Sequence, residues 1–122
     1  MNEAKRQLVQ SWLTKAQHDL ASARVLAASN LPLLDTAIYH CQQAAEKAVK
    51  GFLVFWDQEF ERVHDVEVLI RAAMSYEAGF VDWVEVGRLL TPYARMYRYP
   101  DNVAGPSTRI TFRARRWKGA TR

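Results

Sequence analysis

Ala37-Ile38-Tyr39-His40-Cys41-Gln42-Gln43-Ala44-Ala45-Glu46-Lys47-Ala48-Val49-Lys50-Gly51 is the stretch from which the fold of this chain can be read. Within a helix running from about residue 33 to 57, Ala37, Ile38, Cys41, Ala44, Ala45, Ala48, Phe52 and Trp56 recur at three- and four-residue steps. At ~100° per residue they fill a sector of about 120°, the width of a core-facing stripe. His40, Gln43, Lys47 and Lys50 fall on the opposite side. A helix so divided must bury one face against other helices.

The flanking sequence supplies those helices. Upstream, Leu8, Trp12, Ala16, Leu20, Ala23, Leu26 and Ala27 repeat with helical spacing over residues 4–29, and Asn30-Leu31-Pro32 ends the run. Downstream, a polar break at 57–62 leads to a shorter helix over 64–76, apolar at Val66, Leu69, Ile70 and Ala73, with Asp65 in its first turn. A fourth helix is expected over 80–98, burying Trp83, Gly87, Leu90, Ala94 and Tyr97, with Pro92 kinking or splitting it and Pro100 closing it. Four helices with short connections predict an all-α, antiparallel up-and-down four-helix bundle over residues 1–101. Residues 102–122 are expected to form an irregular basic C-terminal tail.

Length and composition agree with one globular domain. The chain has 122 residues, 49% hydrophobic and 25% charged. No apolar run approaches the ~20 residues that cross a bilayer. The N-terminal residues lack the apolar segment of a signal peptide. A single cysteine, Cys41, excludes an internal disulfide and points to a reducing, cytoplasmic setting without membrane contact.

Charge is divided unevenly. The net charge is +4, yet residues 1–108 carry eleven Lys and Arg against thirteen Asp and Glu, a balance of −2. Residues 109–122 carry Arg109, Arg113, Arg115, Arg116, Lys118 and Arg122 with no acid, a balance of +6. The body is no polycationic platform. The tail interleaves those bases with Phe112 and Trp117, a pattern suited to single-stranded nucleic acid.

Several chemistries find no support. No Gly-rich phosphate loop, metal-ligand spacing or nucleophile elbow occurs. His18, His40 and His64 lie far apart, so neither a metal nor another cofactor is implied. Asp19 stands out because it shares the apolar phase of Leu8, Trp12 and Leu26. A carboxylate there needs a partner, and Arg98, on an inward phase of the fourth helix, is the expected one. The row His40, Gln43, Lys47 and Lys50 suits a phosphate-bearing ligand, as do Arg95 and Arg98; for each, an ordinary solvated face or a helix-dipole role is the simpler reading.

Trp12-Leu13-Thr14-Lys15-Ala16, Asp19-Leu20, the block Ala37 to Gly51, His64-Asp65-Val66 and Arg98-Tyr99-Pro100 together resemble the HEPN domain, the nucleotide-binding domain of higher eukaryotes and prokaryotes, in its small prokaryotic branch. The resemblance covers about residues 8–101. It implies a helical bundle that forms homodimers, is encoded beside a minimal nucleotidyltransferase in toxin–antitoxin-like pairs, and binds nucleotide or RNA. Many HEPN domains are metal-independent ribonucleases, marked by an Arg followed four to six residues later by a His. Here no His follows Arg95 or Arg98, and Arg62-Val63-His64 has the order with too short a gap. The resemblance therefore favours a binding module paired with a nucleotidyltransferase. The alternative is a homodimeric ribonuclease toxin using Arg98 with Asp101 or His64.

Overall fold

The computed structural model describes residues 1–96. Helix α1 spans Glu3–Ala28, α2 Leu34–Phe55, α3 Val66–Ala73, α4 Val84–Leu90 and α5 Tyr93–Met96, with a 3₁₀ turn at Ala78–Trp83 between α3 and α4. Among the described residues there is no strand. The protein is an all-α helical bundle.

Local chemistry sets each boundary. The Asn2 side chain accepts the Lys5 backbone N–H at 2.7 Å and starts α1. Asp65, expected inside the first turn of its helix, is instead the cap of α3 and accepts the Val68 N–H at 3.1 Å. Asp57 and Arg62 adopt left-handed backbone conformations, with φ of 57° and 61°, and turn the chain between α2 and α3. The fourth expected helix is broken into three pieces. It opens as the 3₁₀ turn, becomes α4, stops before Pro92 and resumes as α5. Pro92 has no N–H to continue the α4 ladder, while its own carbonyl accepts from the Arg95 N–H at 3.2 Å.

Helices α1 and α2 form an antiparallel hairpin: Lys5 near the start of α1 meets Asp57 beyond the end of α2, and Asp19 further along α1 meets His40. On the other flank of α2, Val49 and Leu53 pack with Val66, Leu69, Ile70 and Ala73 of α3, and Phe52, Phe60, Tyr76, Phe80 and Val84 close around them. Tyr93 of α5 packs on Ile38, and Leu90 of α4 joins Ala23 and Cys41. Gly87 permits the tight α3–α4 contact. A Cβ there would lie 2.9 Å from Ile70 Cδ1 and 3.1 Å from the Glu67 backbone, where yielding is hardest.

Helix α2 is thus contacted from several sides, and its buried arc is wider than the apolar stripe. Gln42, Glu46 and Lys50 are buried with Ala37, Ile38, Cys41, Ala44, Val49 and Leu53. Conversely Ala48 and Trp56, expected in the stripe, are exposed, because no described element packs over them. Helix α1 packs mainly on α2, so only Ala16, Asp19 and Ala23 are fully buried, and Leu8 and Leu20 of its stripe are exposed. Trp83 is exposed rather than buried, since it sits in the 3₁₀ turn and not on the inner face of a continuous helix. Tyr97 and the tail, 102–122, lie outside the described residues.

Candidate functional site

Asp19 needed a partner, and it has two. His40 and Lys47 are seven residues apart on α2, two turns, and so project from the same side of that helix towards α1. His40 Nδ1 lies 2.7 Å from Asp19 Oδ1, and Lys47 Nζ donates to Asp19 Oδ2 at 2.6 Å. A carboxylate can only accept, so His40 donates through Nδ1. That leaves Nε2 as the ring's open position, with no protein partner among the described residues. Tyr39 sets its ring edge-on to the imidazole, centroids 5.5 Å apart. The side chains of Asp19, Lys47 and His40 are 12%, 24% and 27% exposed. The carboxylate is inside and the two nitrogen groups reach the surface.

The expected partner of Asp19, Arg98, lies outside the described residues, as does Asp101; both oxygens of the Asp19 carboxylate are engaged by α2.

On another face of α2, at the same height, is a second cluster, whose carboxylate and lysine are buried while its histidine is 67% exposed. Glu46 accepts from Lys50 Nζ at 2.8 Å and from Gln42 Nε2 at 2.9 Å, and His64 Nδ1 lies 3.0 Å from it. Burial pushes the Glu46 carboxyl up, but the bonds from His64, Lys50 and Gln42, with the Lys50 charge, bring it below its ordinary value. The Lys50 side chain is 6% exposed, its ammonium 5.6 Å from the Trp12 ring centroid and 5.4 Å from that of Phe60.

Of the expected phosphate-binding row, then, only His40 and Lys47 meet at one open site. Lys50 is corrected to an internal position: Gly51 lets α1 approach closely, and the Trp12 and Phe60 rings cover the ammonium. Gln43 is partly buried and donates to Gln42 Oε1 at 2.7 Å, linking its face to the second cluster. Arg95 is exposed and makes no ion pair among the described residues. His64 is held by Glu46 as a cap on the inner network. Gln42 and Glu46 were missed as site-forming residues; the signal was their i, i+4 spacing with Lys50, which places three polar side chains on one helix face.

The outer strip of α1, formed by Gln7, Gln10, Ser11, Thr14, Lys15 and His18, lines an open groove of about 440 Å³, with Lys15 one turn before Asp19. Among the described residues no three His, Cys, Asp or Glu side chains group as metal ligands, and no helix is long and apolar enough to cross a membrane.

An antiparallel α-helical hairpin with a carboxylate, an imidazole and an ammonium across its seam is the frame of this helical bundle. Residues 9–114 match the family model of the HEPN domain, and the chain belongs to that family. The match runs beyond residue 101, the expected end of the bundle. No curated protein and no solved structure matches the chain. Family membership supports a nucleotide- or RNA-associated module.

Proposed function

We propose that this protein is a HEPN-type nucleotide- or RNA-binding module that recognises phosphate at Asp19, His40 and Lys47, and that it works as the partner of a nucleotidyltransferase in a toxin–antitoxin-like pair. The observation that carries the site is the Asp19 carboxylate holding both nitrogen groups at the surface. Their geometry is set before a ligand arrives, which lowers the ordering cost of binding. An incoming phosphate accepts from Lys47 and from a protonated His40 Nε2, charge-assisted bonds of the strong kind.

The test is a titration of the full chain with a short 5′-phosphorylated single-stranded RNA and with the corresponding nucleoside monophosphate, at two salt concentrations. Lys47→Ala and His40→Ala should each weaken binding at least tenfold with the fold intact. Wild-type affinity in both variants would refute the site. Binding that falls steeply with salt and depends on residues 109–122 alone would be counterion release by the tail. The pairing is tested by the neighbouring gene: a nucleotidyltransferase that co-purifies with this chain supports it, and one that does not bind refutes it.

The Asp19–His40 pair also favours a second reading, the homodimeric ribonuclease. A carboxylate on Nδ1 orients an imidazole whose Nε2 can move a proton. In that reading His40 takes the role first sought in Asp101 or His64. Cleavage without added metal, abolished by His40→Ala and retained by His64→Ala, is its measurement.

A further inference from the structure

The chain's charge is sorted within the body as well as between body and tail. Residues 57–85 contain eight of the thirteen acids, with Arg62 and Arg71 as the only bases, a balance of −6. The α2–α3 loop and the segment that follows α3 meet at one end of the bundle, while Asp65 and Glu67 lie beside α4. Tyr76 donates to Gln58 at 2.6 Å and stacks on Trp56 with centroids 5.1 Å apart, joining the α2–α3 loop to the segment that follows α3.

Asp57, Glu59, Glu61, Glu77 and Asp82 are exposed there. Glu59, Glu61 and Asp82 make no ion pair among the described residues, whereas Glu67 and Glu85 are paired with arginines and Asp57 with Lys5. Between these acids Phe55 and Trp56 are exposed, one ring edge-on to the other. The Phe55 ring already carries a cation on its face, Lys5 Nζ at 5.7 Å. An acidic rim around exposed rings accepts a partner that is basic and aromatic at once.

We propose that this acidic, aromatic end of the bundle is the docking surface for the chain's own segment Arg109–Arg122. Its charge of +6 is opposite to that of the exposed, unpaired Glu59, Glu61 and Asp82, and its Phe112 and Trp117 supply aromatic partners for Phe55 and Trp56. The connection is long enough. Tyr93 packs on Ile38, so the described chain ends near the first turn of α2. From Ile38 to Trp56 a helix rises roughly 27 Å. The twelve residues 97–108 span at most roughly 40 Å when extended. The contact holds the basic segment against the protein's own acids and away from other anions. It rests on the surface and the charge pattern, independently of the phosphate site.

Lys118 allows a direct test, being the only lysine beyond Lys50. A zero-length carbodiimide joins its amine to a carboxylate within contact distance, and peptide mass spectrometry of the full chain locates the joint. The expected products link Lys118 to Glu59, Glu61, Glu77 or Asp82. They should be lost above about 0.5 M salt, where screening shortens to a few ångströms, and lost in Arg113→Glu/Arg115→Glu/Arg116→Glu, which leaves Lys118 in place. Mixing ¹⁴N- and ¹⁵N-labelled protein separates links within a chain from links between chains. Links within one chain to the acidic end support the proposal. Links spread equally to Glu3 and Asp35, links only between chains, or no links overturn it.

Discussion

Two clusters on α2 contain the same three kinds of group. Each has a carboxylate holding one lysine and one histidine: Asp19 with Lys47 and His40, Glu46 with Lys50 and His64. They differ in where the lysine goes. Lys50 lies under Trp12 and Phe60 with its whole charge inside, and the network is completed by Gln42. Lys47 is a quarter exposed, and its cluster opens to solvent. The same chemistry therefore keeps its lysine inside in one place and leaves it open to solvent in the other. Burial, not composition, separates the two.

The largest expected difference between them is in stability. Glu46→Ala leaves the Lys50 ammonium buried and unpaired, and should cost about 3–5 kcal/mol, a fall of more than about 10 °C in Tm. Replacing the pair together, Glu46→Met with Lys50→Met, should recover most of that loss, since an apolar pair of similar volume removes both desolvation costs. Thermal melts of the three proteins decide it; a double variant as unstable as Glu46→Ala would show that the brace is not a matched pair.

At the open cluster the same truncation should matter less. Asp19→Ala should cost about 1–3 kcal/mol, the scale of hydrogen bonds to a charged group. Lys47→Ala should cost under about 1 kcal/mol, as water can reach the site. A Lys47→Ala loss equal to that of Glu46→Ala would show that the two clusters do not differ as brace and open pair.

Acid gives a milder probe. The Glu46 carboxyl in the folded protein titrates below its ordinary value of 4.5. The ionised network therefore stabilises the fold above that pH, and its contribution disappears as pH falls through the folded value. Melting temperature against pH should fall less steeply on the acid side for Glu46→Gln than for wild type. Parallel curves would mean that Glu46 is not a source of acid sensitivity.

The smallest signal comes from Cys41, buried between α1 and α4 with its thiol pushed up to about 11 by burial. It should react slowly with a thiol reagent in the native state. Glu46→Ala should speed labelling more than Lys47→Ala, reporting how far each cluster holds the helices together. Equal rates in all three proteins would show that neither cluster controls opening at Cys41.

How much of this was legible in the sequence follows from the same burial argument. Periodicity located α1, α2 and α3 because each has an apolar face of ordinary width, and Pro92 announced the break in the fourth helix. Asp19 was visible as a carboxylate on an inward phase, and His40 and Lys47 as neighbours on one helix face. Their meeting across the α1–α2 seam was not, because pairing between helices depends on the axial register of the hairpin. Lys50 misled for a related reason. An amphipathic reading assumes one buried sector, while α2 is packed from several directions, and polar residues at i, i+4 spacing satisfy each other inside. Ala48 and Trp83 failed in the opposite direction, apolar positions that no described element covers.

The three histidines allow the most direct test of the central claim, that the Asp19 cluster is the ligand site and the Glu46 cluster a brace. Side-chain imidazole nitrogens of ¹⁵N-labelled full-length protein can be followed by NMR while 5′-phosphorylated single-stranded RNA is added at constant pH. The His40 resonances, above all Nε2, should shift with saturation while those of His64 stay in place. Saturable movement of His64 with His40 unchanged would contradict that claim.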